Sequence, residues 1–142
     1  MLNIFTTRKT KKKIIGIGIE GNIHKTFANT IRTYENLKLL NCERWSYDAA
    51  GEKRQLTTAS LLKAKGLKRG HPDYSFICIQ RGIAIIVYIE FKAGKNKQTE
   101  EQKKFQLMCE KSSNLIYQTC YSCEEAIDFL KQNGVIKHND TY

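Results

Sequence analysis

The run Ile83-Ala-Ile-Ile-Val-Tyr-Ile-Glu-Phe-Lys92 constrains the fold more than any other part of the chain. It is dense in β-branched residues, whose stiff side chains suit a pleated sheet better than a helix. An apolar run without polar alternation predicts a central strand buried on both faces. Tyr74 to Gln80 is similarly apolar, and Arg81-Gly82 between the two runs predicts a tight two-residue turn. A hairpin therefore lies at the centre of the expected sheet, and at its far end stand two charges, Glu90 and Lys92.

Helical periodicity surrounds this hairpin. Ile23, Phe27, Ile31, Tyr34 and Leu37 recur at spacings of three and four, which predicts a first helix, with Asn22 as its cap. Residues 43 to 50 predict a short strand with Trp45 and Tyr47 on one side. A second helix is expected from Arg54 to Lys65, with Leu56, Ala59, Leu61 and Leu62 inward and Gly66 as its stop. A third begins at Thr99, with Phe105, Leu107, Met108 and Cys109 as core candidates. Leu115 to Tyr121 predicts a further strand, and Ser122 with Glu125 caps a last helix that ends before Gly134. Ile14, Ile15, Ile17 and Ile19 are compatible with one more short strand. The expected order is helix, strand, helix, two strands, helix, strand, helix: an α/β fold with mixed strand pairing.

A chain of 142 residues has room for one such core. Its 24 Lys plus Arg against 14 Asp plus Glu leave a net charge of +10, a field that attracts polyanions such as nucleic acid. No stretch approaches the roughly 20 apolar residues that span a bilayer, so no membrane association is expected. The basic N-terminal run (Arg8, Lys9, Lys11, Lys12, Lys13) leads into too short an apolar segment for a signal peptide. Five cysteines, an odd number, fit a reducing intracellular compartment better than a disulfide framework. Cys120-x-x-Cys123 lacks the second ligand pair that a structural zinc needs.

Glu90 and Lys92, at i and i+2 on a strand, leave the same face of the sheet. By themselves they could simply mark where a buried strand meets solvent. Asp73 adds to them, because the hairpin returns Glu90 and Lys92 to the end of the sheet where Asp73 enters. Two carboxylates converging there suit Mg²⁺ or Mn²⁺, which take oxygen ligands and water. A lysine beside them can polarise an attacking water or stabilise charge developing on a phosphate.

The loop Lys65-Gly-Leu-Lys-Arg-Gly-His-Pro-Asp73, then Glu90-Phe91-Lys92, then Thr99-Glu-Glu-Gln102, resembles the virus-type replication-repair nuclease (VRR-NUC) domain of the PD-(D/E)XK nuclease superfamily. The resemblance covers about residues 20 to 133. It implies a restriction-endonuclease-like mixed sheet of about four strands flanked by helices. It further implies a nuclease domain over residues 20–136, between a basic N-terminal lead (1–19) and a short C-terminal tail (137–142). By the same resemblance Asp73, Glu90 and the Phe91 carbonyl would hold the metal, and Lys92 would be the catalytic lysine. Gln102 would stand near the metal or the scissile phosphate, although Thr99-x-x-Gln102 is also a capping box and one residue can do both. Such families add an acidic residue from the first helix, for which Glu20 is the candidate and Glu35 its rival. Arg54, after Gly51, matches a possible phosphate contact. His71 departs from the pattern, which has a small apolar residue there.

Lys63, Lys65, Lys68 and Arg69 cluster around the Asp73 loop, and Lys95 and Lys97 follow Lys92, placing charge where a phosphate backbone would pass. Contacts of that kind position DNA without reading its sequence. The resulting expectation is a Mg²⁺- or Mn²⁺-dependent DNA endonuclease. The resemblance adds branched or structured DNA, such as a Holliday junction, in replication, recombination or repair, in a phage, viral or bacterial setting. A homodimer is expected if paired strands are cut. The rival expectations are a non-catalytic DNA-binding or assembly subunit that keeps the fold, and RNA processing by the same chemistry.

Overall fold

The computed structural model describes residues 19–48 and 56–138. Eight elements follow in the expected order: α1 (Ile19–Asn36), β1 (Arg44–Tyr47), α2 (Leu56–Ala64), β2 (Tyr74–Gln80), β3 (Ile83–Phe91), α3 (Glu100–Cys109), β4 (Leu115–Cys120) and α4 (Cys123–Gln132). The sheet order is β1-β2-β3-β4. The first two pairings are antiparallel, and β4 lies parallel to β3 across the α3 crossover. This is an α/β fold with a four-stranded mixed sheet flanked by helices.

The hairpin at its centre turns on Arg81 (φ 51°) and Gly82 (φ 77°), two consecutive left-handed residues. That pair is the mark of a primed turn, whose twist matches the flanking strands. The register then places Tyr74 opposite Ile89, so the start of β2 meets the end of β3.

The two faces of the sheet are unequal. Tyr74, Phe76, Cys78, Val87, Ile89, Phe91 and Cys120 alternate onto one face and are fully buried against α1 and α4, which supply Phe27, Ile31, Ala126, Ile127 and Leu130. Phe27 sits edge-on to Tyr74 at 4.8 Å and to Phe91 at 5.0 Å. Val135 and Ile136 close the same core, and Leu40 bridges Ile136. The folded unit therefore reaches residue 136, and the Lys137 amide still donates to the Leu39 carbonyl at 2.8 Å. The opposite face is covered more thinly, by α3 through Phe105, which packs edge-on against Tyr88 at 5.0 Å and near Tyr117 at 6.1 Å, and by His71, 5.9 Å from Tyr88.

This asymmetry corrects several expectations. β3 is buried at its C-terminal end only. Ile83 is exposed because nothing among the described residues covers the turn end of the sheet. Leu107 and Met108 are exposed as well, since a ten-residue helix on one sheet face buries a single stripe, here ending at Cys109. Leu37 lies past the end of α1 and is exposed, as are Ala59 and Leu61 on α2; of the described α2 side chains, Leu62 alone is half-buried. Asn22 lies inside α1, which begins three residues earlier, rather than at its cap. β1 is shorter than the expected 43–50, and β4 stops at Cys120, one residue before Tyr121. The basic lead, its possible strand over Ile14 to Ile19 except Ile19 itself, and Arg54 lie outside the described residues.

The other expected caps are present. Gly66 (φ 94°) ends α2 with a paired motif: its amide donates to the Lys63 carbonyl, and the Leu67 amide donates to the Leu62 carbonyl, each at 3.0 Å. Thr99 caps α3 in a full capping box with Gln102, and the Ser122 hydroxyl accepts from the Glu125 amide at 3.1 Å. All five cysteines are free, and no described helix is long and apolar enough to cross a membrane.

Candidate metal centre

Asp73 stands one residue before β2, after the fully buried Pro72. Its Oδ2 accepts a hydrogen bond of 2.7 Å from the Phe91 amide. That bond fastens the entry of β2 to the exit of β3, so the hairpin brings together the residues that its register implied. The Asp73 carbonyl accepts from the Asp48 amide at 2.7 Å, which ties the end of β1 to the same point.

Glu90 is the one polar or charged residue among the buried described residues, with 2% of its surface exposed. Its Oε1 lies 3.0 Å from Lys92 Nζ and also accepts from Gln102 Nε2. Its Oε2 is buried without a hydrogen-bond partner. Gln102 thus has two roles: its Oε1 accepts from the Thr99 amide at 2.8 Å to cap α3, while its Nε2 reaches the carboxylate. A capping residue has become the link between α3 and the site. Gln98 anchors the same helix start, donating to Gln106 Oε1 at 2.9 Å and to the Tyr117 hydroxyl at 3.1 Å.

Burial dominates the electrostatics. It pushes the Glu90 carboxyl up to about 7, the Asp73 charge adds to the rise, and Lys92 and the Asp73 backbone amide oppose it. Burial also raises Asp73, with a further push from Glu20, against the Phe91 amide, His24 and Lys92. Two neighbouring carboxyls that resist ionisation form a site short of positive charge.

His24 is a member that the sequence expectations missed. It lies on α1 one turn beyond Glu20, its Nε2 3.8 Å from Asp73 Oδ2 and 4.0 Å from Glu20 Oε1. Three rings enclose it: Tyr74 at 5.6 Å, Tyr47 at 5.5 Å and Phe91 at 5.3 Å. Its Nδ1 is buried without a partner. The available signal was a histidine three residues before Phe27, on the stripe that α1 turns inward. Glu20 is half-exposed in the first turn of α1 and meets Asp73 by way of His24. Its rival Glu35 is ruled out by distance: fifteen residues along the helix is about 22 Å. There it faces Cys42 instead.

The remaining residues separate into groups. Lys63 is in the last turn of α2, and Lys63, Lys65, Lys68 and Arg69 are all exposed. Lys68 and Arg69 line an open cleft of about 560 Å³ with His71, Glu101, Lys104, Phe105 and Met108. Lys95 and Lys97 are exposed on the connection after Lys92. His71 packs against Phe105 at 5.2 Å and Tyr88 at 5.9 Å and pairs with Asp48 at 3.5 Å, so it braces the loop against α3.

Among the described residues, no group of three or more His, Cys, Asp or Glu side chains could hold a metal ion by itself. That excludes a closed protein cage there. It leaves the open arrangement of Mg²⁺ sites, where one or two carboxylates act with water and substrate phosphate. The unpartnered Glu90 oxygen beside Asp73 fits that arrangement. Comparison of the chain with protein-family models, with curated proteins and with solved structures finds no match.

Proposed function

We propose that this chain is a Mg²⁺- or Mn²⁺-dependent nuclease that hydrolyses DNA phosphodiester bonds at the Asp73–Glu90–Lys92 site. The observation that carries the proposal is the Glu90 carboxylate, buried, with one oxygen unpartnered, next to Asp73 and bonded to a lysine and a glutamine. A buried charge is costly unless it is compensated, and Lys92 alone leaves two carboxylates against one ammonium. Placing such a set at the end of an otherwise apolar sheet is reasonable when a cation completes it.

Asp73, Glu90 and the Phe91 carbonyl would hold the ion, which when bound supplies Lewis acidity and a more acidic water. The protein's own part is positional. The Phe91 amide fixes the Asp73 carboxylate, and Gln102 fixes Glu90. Lys92, only 12% exposed, keeps its ammonium at the carboxylates, ready to stabilise charge developing on a phosphate oxygen. Glu20 extends the acidic edge through His24. The exposed lysines and Arg69 on either side supply the sequence-independent attraction for a phosphate backbone. The resemblance noted above extends the proposal to branched DNA and, because each chain has one site, to a homodimer where both strands are cut.

The test compares junction, flap and duplex DNA with RNA, with Mn²⁺ or with a chelator. Wild type is expected to cleave DNA only with the metal. Glu90→Ala and Lys92→Ala should each abolish cleavage while circular dichroism shows an unchanged fold. Unchanged cleavage in either variant would sink the assignment, and metal-independent binding without cleavage would favour a non-catalytic subunit.

A further inference from the structure

The cleft of about 560 Å³ has two walls. One is the loop Gly66-Leu67-Lys68-Arg69 with His71, and the other is one flank of α3, bearing Glu101, Lys104, Phe105 and Met108. These walls are the same segments that carry the metal centre. His71 precedes Asp73 by two residues, and Glu101 adjoins Gln102, whose side chain holds Glu90. The walls also meet at one point. A Cβ on Gly70 would lie 2.6 Å from the Glu101 carbonyl carbon, so glycine lets loop and helix touch. The cleft therefore lies on the same loop and helix as the site, although no side chain of the site lines it.

Its chemistry is mixed in a specific way. Leu67 and Met108 are exposed and Phe105 is half-buried, which gives an apolar, partly aromatic lining. Lys68, Arg69 and Lys104 stand around it, against two acids, of which Asp48 is paired with His71. A duplex backbone alone would call for the cations and leave the apolar lining wet. A nucleotide whose base is unpaired offers both partners at once, a phosphate for the cations and a π-face for the lining.

We infer that this cleft binds unpaired nucleotides of a DNA strand next to the scissile phosphate, so that the enzyme acts where single strand joins duplex. The inference rests on the nuclease reading and names its substrate class. From Gln102 to Met108 the helix rises about 9 Å, at about 1.5 Å per residue. At roughly 3.4 Å per stacked base, that span corresponds to at most about three nucleotides.

The probe is a fluorescein-labelled duplex carrying a single-stranded oligothymidine tail, with the same duplex blunt-ended as its partner. Binding is read by anisotropy in Ca²⁺ over a range of salt, and cleavage in Mn²⁺. Wild type is expected to bind the tailed duplex at least tenfold tighter. Met108→Glu, which places a carboxylate in the apolar lining beside Phe105, should weaken tailed binding by about tenfold and weaken blunt binding far less. Lys104→Ala should lower the slope of log affinity against log salt on the tailed duplex by about 0.7, one single-strand phosphate contact. Equal affinity of wild type for the two duplexes, or equal losses on both in Met108→Glu, would overturn the cleft proposal while cleavage in Mn²⁺ leaves the nuclease reading standing. Absence of both binding and cleavage in wild type would overturn the two together.

Discussion

Glu90 concentrates the physical conflict in this protein: a carboxyl that folding buries and that the proposed metal site needs charged. The sign of its effect on stability follows from its raised folded pKa, about 7 against 4.5 for the free group. Between those values the native state keeps a proton that the unfolded chain has released, so stability falls as pH rises. The cost is complete above the folded pKa and amounts to about 3 kcal/mol at 1.36 kcal/mol per pH unit. Asp73, also raised, acts in the same direction. Urea unfolding without divalent ions should therefore show wild type less stable at pH 8 than at pH 5. Glu90→Gln should flatten most of that slope, whatever it does to absolute stability. An equal slope in the variant would mean that Glu90 ionises freely in the fold. His24 poses a related problem, an imidazole held by three rings with one nitrogen unpartnered. Its position between Glu20 and Asp73 makes it the contact through which α1 reaches the site.

At the scale of elements, the site depends on one hairpin and on the docking of one short helix. The hairpin register brings Asp73 to the Phe91 amide, and α3 delivers Gln102 to Glu90. Docking of α3 relies on Gly70, where φ is +87° and a Cβ would strike the Glu101 backbone. Gly66, in the same loop at φ +94°, has open space around it. Alanine at either position pays for the left-handed backbone, about 1 kcal/mol or more. Only Gly70→Ala must also force loop and helix apart, a further cost of about 1–3 kcal/mol. Gly70→Ala should thus be the less stable of the two by that margin in urea unfolding, and should lose metal-dependent cleavage more severely. Equal losses would show that the close approach is not required.

At the scale of the whole molecule, one densely packed layer supports one lightly covered layer. α1 and α4 bury the aromatic face of the sheet, and this packed side offsets the cost of burying Glu90 on the other. Mn²⁺ binding should repay part of that cost. An ion that binds the native state alone at a hundred times its Kd raises stability by about 2.7 kcal/mol. Thermal unfolding should show this gain in wild type at pH 8 and its loss in Glu90→Gln. A gain of equal size in the variant would place the ion elsewhere on the molecule.

Much of the architecture was legible in the residues. β-Branched runs and a left-handed turn pair fix the hairpin locally, and capping residues mark helix ends through bonds made within a few residues. For the same reason the convergence of Asp73 on Glu90 and Lys92 could be reasoned from the hairpin alone. Exposure was less legible. Leu107, Met108, Leu61 and Ile83 are as apolar as the core, and only the absence of a described element over them leaves them at the surface. His24 was hidden for a related reason, since its place depends on how α1 docks on the sheet, whereas both roles of Gln102 were among the sequence expectations. Glu90 and Lys92 were visible as two charges at the end of a strand. The tertiary structure decided that one of them is buried with an oxygen to spare, because burial is a property of what packs around a residue and not of the residue itself.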